Sequence, residues 1–171
     1  MKKRHVATLA AVAVAGLALV WLLRPRPAHP LELGENAYDF TVPALAGGDL
    51  HLRDYRNKVV VVNFWATWCP PCVEETPSLE KFAERMRNQD VAVIGVSVDQ
   101  DKSALEKFVA AYHLTYPIAR DPDQVVASRY GTFNFPETYI LDRQGRVAEK
   151  LWTWDWDDPR IIDFVQQLAH P

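Results

Sequence analysis

Apolar residues recur along this chain with different periods, and each period marks a different kind of element. The first stretch has no period at all: Val6 to Leu23 is uncharged and mostly apolar. Lys2, Lys3 and Arg4 precede it, and Arg24-Pro25-Arg26-Pro27 ends it. About 18 such residues can cross roughly 30 Å of hydrocarbon as a helix. A charged start and an apolar core describe either a cleaved signal peptide or an uncleaved anchor. Cleavage at Gly16-Leu17-Ala18 would leave Leu19 to Leu23 exposed on the mature protein, so residues 1–24 read as a single-pass anchor. Basic residues favour the cytoplasmic side, which puts the remainder outside, although Arg24 and Arg26 weaken the asymmetry.

Residues 25–35 read as a short, stiff, proline-bearing linker. Beyond it, Asp39-Phe40-Thr41-Val42 and Asp49-Leu50-His51-Leu52 flank Gly47-Gly48, a β-hairpin pattern. Val59 to Ala66 is a buried strand by its continuous apolar run. From Pro70 the period becomes helical, with Leu79, Phe82, Ala83 and Met86 on one face. A second apolar strand, Val91 to Val98, precedes Ser103-x-x-Glu106, which has the form of a capping box. It opens a helix bearing Leu105, Phe108, Val109 and Tyr112. A strand near Tyr116 to Ala119 ends at Asp121-Pro122-Asp123, and a short helix runs to Tyr130. Thr138 to Leu141 and Arg146 to Leu151 bracket Asp142-Arg143-Gln144-Gly145 as a second hairpin. Ile161, Phe164, Val165, Leu168 and Ala169 are spaced for an amphipathic terminal helix. Strand–helix–strand followed by a hairpin and a helix gives an α/β domain over 36–171, its central mixed sheet flanked by helices on both faces.

Charge narrows the partners. Of the 19 Lys and Arg, five precede Leu31 and no acidic residue does. The domain therefore carries 14 against 22 Asp and Glu, a formal charge of −8. Such a surface is poorly suited to phosphate backbones, so nucleic acid is not an expected partner.

The chain has two cysteines, in Trp68-Cys69-Pro70-Pro71-Cys72. The loop they close is too short to restrict the unfolded chain much. Two thiols at this spacing can cycle between dithiol and disulfide or hold a metal ion. An exported domain would commonly carry structural disulfides, and this one has no cysteine to spare for them. Cys69 falls at the end of a strand and the start of a helix, where free amides and the dipole favour a thiolate. Thiolate is the attacking species in exchange, and Cys72 lies one turn on, placed to resolve a mixed disulfide. Pro70 and Pro71 have no N–H, so the Cys72 amide is the first backbone donor able to reach Cys69. A sparsely stabilised thiolate makes a stronger reductant, with a potential nearer roughly −270 mV than roughly −120 mV.

Asn63-Phe64-Trp65-Ala66-Thr67-Trp68-Cys69-Pro70-Pro71-Cys72 resembles the active-site segment of the TlpA/ResA-like branch of the thioredoxin family, which includes the CcmG/DsbE cytochrome c maturation proteins. Pro77 matches the helix-kinking proline of such folds. Phe135-Pro136-Glu137-Thr138 resembles the segment bearing the family's cis-proline, which faces the disulfide and pairs with extended substrates. The hairpin and Asp54-Tyr55-Arg56-Asn57-Lys58 resemble the family's N-terminal extension. The resemblance implies a thioredoxin-like fold and a protein-disulfide reductase outside the cytoplasm of a bacterium, with Cys69 and Cys72 catalytic. Trp68, Pro70, Phe135 and Pro136 would border the substrate, with Trp68 over the Cys69 sulfur. It implies no cofactor beyond the redox-active disulfide, protein substrates such as apocytochrome c, and electrons from a membrane thiol donor of the DsbD/CcdA type.

Two departures from the pattern matter. Asn63 stands where thioredoxin has a buried Asp. The substitute proton acceptor is Glu75, three residues after Cys72, matching a Glu of ResA-like relatives; that role needs partial burial, and the alternative is a solvated carboxylate, as for Glu74. Trp152-Thr153-Trp154-Asp155-Trp156 replaces a plainer stretch. On a strand the three indoles share a face and pack together, either as core or as an aromatic lip in which Trp154 contacts a partner. A different class of function, copper carriage on the cysteines, would need further ligands for a closed site, and the scattered histidines form no ligand pair with the cysteines. A peroxidase of the peroxiredoxin type would lack the tryptophan-flanked CxxC.

Overall fold

The computed structural model describes residues 30–152 and 155–170, together with Gly16. The proposed anchor thus lies outside the described residues except for Gly16. Among the described residues no helix is long and apolar enough to cross a membrane.

Strands β1 (Thr41–Pro43) and β2 (Asp49–His51) form the first hairpin, with Val42 opposite Leu50 and both side chains buried. The reversal between them uses φ of 103° at Gly47 and 73° at Gly48, values open to glycine and strained for other residues. Then follow β3 (Val59–Trp65), α1 (Pro70–Met86), β4 (Val91–Ser97), α2 (Lys102–Ala111) and β5 (Ile118–Arg120). They are succeeded by α3 (Val125–Tyr130), β6 (Glu137–Leu141), β7 (Val147–Trp152) and α4 (Pro159–Ala169). The five-stranded sheet has the order β5-β4-β3-β6-β7. β3, β4 and β5 run parallel, while β6 is antiparallel to β3 and β7 to β6. Every residue of β3 is buried, which is why this central strand reads as a continuous apolar run rather than an alternation.

Alternation along β3 sorts the two faces. Asn63 and Trp65 point to the side of α1 and α2, where Asn63 bonds Glu75 and Trp65 packs on Phe108 at 5.2 Å. Phe64 points the other way, to Tyr130 of α3 at 5.1 Å. On that second face Tyr130 also meets Phe40, at 6.0 Å, and Tyr139, at 5.2 Å. Its hydroxyl donates to the Tyr38 carbonyl at 2.7 Å, and burial pushes the phenol far above its usual pKa.

Three boundaries differ from the sequence reading. The cap of α2 is Asp101, which accepts from the amides of Ser103 and Ala104 at 2.8 and 3.1 Å. A short carboxylate two residues upstream reaches both amides, so the Ser103–Glu106 box does not form, and Glu106 pairs with Lys102 instead. β5 starts two residues later than expected, after Pro117, which has no N–H for the ladder. Packing also begins upstream of Asn36. Leu31 is 2% exposed and its amide donates to the Tyr130 carbonyl at 3.3 Å. Gly34 and Ala37 donate to the carbonyls of Val147 and Gly145, at 2.7 and 2.9 Å.

Candidate active site

Cys69 is the N-cap of α1. Its Sγ accepts from the Cys72 amide at 3.4 Å, and its carbonyl accepts from Val73 at 3.1 Å. Pro70 and Pro71 occupy the first helical positions, where a missing N–H costs nothing and φ is already helical. They leave Cys72 as the first amide that can face the sulfur. The cysteines form a disulfide with Cα atoms 5.3 Å apart. Cys69 is 5% exposed and Cys72 1%, so the outer sulfur is Cys69.

The turn leading into Cys69 is held from beneath. Buried Asp99 accepts from the Thr67 amide at 3.0 Å, from its hydroxyl at 2.5 Å and from the Ser97 hydroxyl at 2.8 Å. A carboxylate gathering three donors is a rigid clamp. Sequence reasoning missed it; the available signal was an acid directly beyond a strongly apolar strand.

Across the disulfide lies the loop before β6. The Phe135–Pro136 peptide is cis, and the Phe135 carbonyl oxygen lies 3.3 Å from Cys69 Sγ. Trp68 meets Phe135 edge to face at 6.1 Å. A shallow cleft of about 440 Å³ is lined by Trp68, Cys69, Pro70, Pro71, Phe133 and Phe135. Trp68 is itself 62% exposed, and so forms a wall of the cleft. Phe133, at 70%, is a second exposed aromatic that no motif flagged.

On the inner side, Glu75 is buried rather than solvated, whereas Glu74 is exposed. Asn63 Nδ2 spends its two hydrogens on Glu75 Oε1 at 2.8 Å and Thr138 Oγ1 at 3.0 Å. The position held by Asp in thioredoxin thus supplies a donor that fixes the carboxylate one turn beyond Cys72.

The tryptophans part company. Trp156 is core, packed on Phe82 at 5.1 Å on the α1 side. Trp152 is 60% exposed at the end of β7, on the opposite face, with Lys150 Nζ 5.3 Å from its ring centre. The two do not pack together, because the chain leaves the strand before residue 156 and the alternation ends there. Trp154 lies outside the described residues. Lys150 also pairs with Glu137 at 2.9 Å, next to Pro136, and this carboxylate is only 4% exposed. Burial pulls the Lys150 ammonium down, but hydrogen bonds to Tyr139 and Glu137 and the Glu137 charge outweigh it, leaving the pKa above its usual value. Among the described residues, no three His, Cys, Asp or Glu side chains gather as a metal group.

A disulfide at a helix N-cap, facing a cis-proline at the same end of a mixed sheet, defines a thioredoxin-like thiol–disulfide oxidoreductase. The chain belongs to the AhpC/TSA family, whose family model matches residues 33–150. It is similar to the thiol-disulfide oxidoreductase ResA of Geobacillus thermodenitrificans, with 37% identity over 119 residues, 70% of this chain and 68% of that one. It is 32% identical to ResA of Bacillus anthracis over 121 residues, 71% of this chain and 70% of that one. Among solved structures it resembles the thioredoxin domain of a thiol-disulfide oxidoreductase from Bacteroides vulgatus. The TM-score is 0.72 and the identity 27%, over 79% of this chain and 99% of that one. These likenesses make it a ResA-like thiol–disulfide oxidoreductase.

Proposed function

We propose that the protein is a membrane-tethered reductant of protein disulfides outside the cytoplasm, with Cys69 as nucleophile and Cys72 as resolving thiol. The observation that carries this reading is the asymmetry of the pair: Cys69 is the outer sulfur, at a helix N-cap, facing one amide donor. The Cys69 thiolate attacks a substrate disulfide, forming a mixed disulfide and releasing one substrate thiolate. Glu75 takes the proton of Cys72, whose thiolate then attacks Cys69 Sγ. The intramolecular disulfide forms and the second substrate thiolate leaves. Two electrons pass to the substrate, and a membrane thiol donor of the DsbD/CcdA type restores the dithiol.

Trp68, Pro70, Phe135 and Pro136 border the approach of an extended substrate segment to Cys69, with Trp154 as a further contact. The substrate class the reading favours is a CxxCH pair of apocytochrome c before haem attachment, as the resemblance to the cytochrome c maturation branch implies. The apolar Val6–Leu23 run, its basic flank and the proline-bearing segment after it support the tether.

The test is a trap. Cys72→Ser leaves Cys69 unable to be released from its mixed disulfide, so non-reducing electrophoresis of membranes from cells carrying this variant shows discrete adducts. Adducts as abundant with Cys69→Ser, which keeps only Cys72, or none with Cys72→Ser, contradict the assignment of the nucleophile.

A further inference from the structure

We propose that the Phe135 carbonyl gates the nucleophile: in the free dithiol form it holds Cys69 as a thiol, and it releases the sulfur to ionise when an extended polypeptide pairs with this carbonyl. This rests on the assignment of Cys69 as nucleophile above. The gate favours polypeptide disulfides over small disulfides that have no backbone N–H to offer.

Two backbone groups face the Cys69 sulfur, and they favour opposite charge states. The Cys72 amide, 3.4 Å away, turns a hydrogen toward it and favours the thiolate. The Phe135 carbonyl oxygen, 3.3 Å away, turns a partial negative charge toward it. A carbonyl only accepts, so in the dithiol form this oxygen takes the S–H hydrogen and opposes a thiolate. Water offsets little of that, because Cys69 is 5% exposed. No other ionisable side chain lines the cleft. Behind the sulfur stand Cys72 and Glu75, the latter bonded by Asn63. Asp99 is bound by Thr67 and Ser97, and Glu137 by Lys150, so neither carboxylate is directed at the sulfur.

The second observation concerns the wall of the cleft. Phe133, Asn134 and Phe135 all line it, and among the described residues neither their amides nor their carbonyls make a backbone hydrogen bond. Backbone groups in folded proteins are nearly always paired, with water or a ligand where not with the chain. A run of unpaired backbone along an open wall is an edge to which an extended segment can add. A substrate sulfur must come within bonding distance of Cys69 Sγ, which carries its backbone past the Phe135 oxygen. An N–H given to that oxygen sets a positive hydrogen beside it and cancels its opposition to the thiolate. The Cys69 proton then passes to water, and the thiolate attacks the nearer substrate sulfur. The substrate S–S bond breaks as the mixed disulfide forms, and the departing thiolate takes a proton from water, so the protons balance. A disulfide with no N–H leaves the carbonyl in place and meets a thiol.

The test uses the full chain in detergent micelles as Cys72→Ser, which leaves Cys69 the only thiol. Its ultraviolet thiolate absorbance is titrated against pH, with Cys69→Ser/Cys72→Ser subtracted to remove the tyrosines. The titration is repeated with a saturating peptide of the CxxCH class in which serine replaces both cysteines, so that it binds without exchanging. Trp68 lines the cleft, and tryptophan fluorescence reports saturation. A second peptide is N-methylated at the residues flanking the first serine and cannot donate there. The expected result is a midpoint lower by about one pH unit with the first peptide, about tenfold more thiolate, the worth of one net hydrogen bond. The N-methylated peptide, when bound, should leave the midpoint where it is in the free protein. A midpoint unchanged or raised by the first peptide, or lowered equally by both, overturns the gate and leaves Cys69 the nucleophile. A first peptide that changes no tryptophan fluorescence up to its solubility limit overturns the pairing. A wild-type dithiol that does not reduce the disulfide of the same peptide with its cysteines restored overturns the reductant reading itself.

Discussion

Replacing Asn63 by Asp tests whether this site depends on an amide where thioredoxin has an acid. The substitution is nearly isosteric and deletes the donor that reaches Glu75 Oε1 at 2.8 Å and Thr138 Oγ1 at 3.0 Å. It places a second carboxyl against a buried one. Two charges about 4 Å apart repel by about 4 kcal/mol at an effective dielectric of about 20. The folded protein can avoid this by binding a proton. At pH 7 that costs about 1.4 kcal/mol for each unit above the ordinary carboxyl value near 4, again about 4 kcal/mol. Both routes bound the loss at about 4 kcal/mol, out of the 5–15 kcal/mol typical of a domain. The proton-binding route also fixes the sign with pH. The folded variant holds more protons than its unfolded chain between about pH 4 and 7, so its stability falls as pH rises through that window. Urea unfolding of both proteins from pH 4.5 to 7.5 measures the difference, expected to grow from about 1 to about 4 kcal/mol. A difference that stays flat across this range refutes the coupling of residue 63 to Glu75.

Glu75→Gln is expected to slow disulfide exchange and to change the pH dependence of Cys72 reactivity, leaving only the thiol's own ionisation; an unchanged profile in stopped-flow exchange excludes Glu75 as the base. Lys150→Met strands the Glu137 carboxylate, whose side chain is 4% exposed, and should cost about 3 kcal/mol in urea unfolding. Adding Glu137→Gln should restore most of that loss. Because the Lys150 pKa is raised on folding, its contribution is complete below the ordinary lysine value near 10.4 and lost as pH rises through the folded value. Wild type should therefore lose stability more steeply than Lys150→Met in strong alkali. Gly131→Ala meets both a φ of 78° and the Pro30 contact; truncation of residues 1–31 should reduce its penalty to about 1 kcal/mol, the backbone part alone.

The elements whose information is local could be read from the residues. Gly47-Gly48 marked the hairpin because positive φ leaves few other residues, and the unbroken apolar run of β3 declared a strand buried on both faces. The CxxC and the Cys69 cap followed from the proline pair, since their missing amides are a property of sequence. Glu75 was placed by helical spacing, but its burial depends on Asn63 and Thr138 converging from two strands 75 residues apart. Phe133 was illegible for the same reason, since it acts across a gap that chain order does not show, while Asp99 left one local signal, an acid directly beyond an apolar strand. The aromatic run beyond β7 misled because strand alternation was extended past the strand's end. The capping box failed because two acceptors competed for one helix start, and the nearer carboxylate won.

The central claim is that Cys69 belongs to a reductant, made so by the two amides that Pro70 and Pro71 withhold. Equilibration of the full chain with glutathione buffers of known ratio, quenched with acid and alkylated, measures its potential directly. The account predicts a value near roughly −270 mV, and a value above about −180 mV contradicts it.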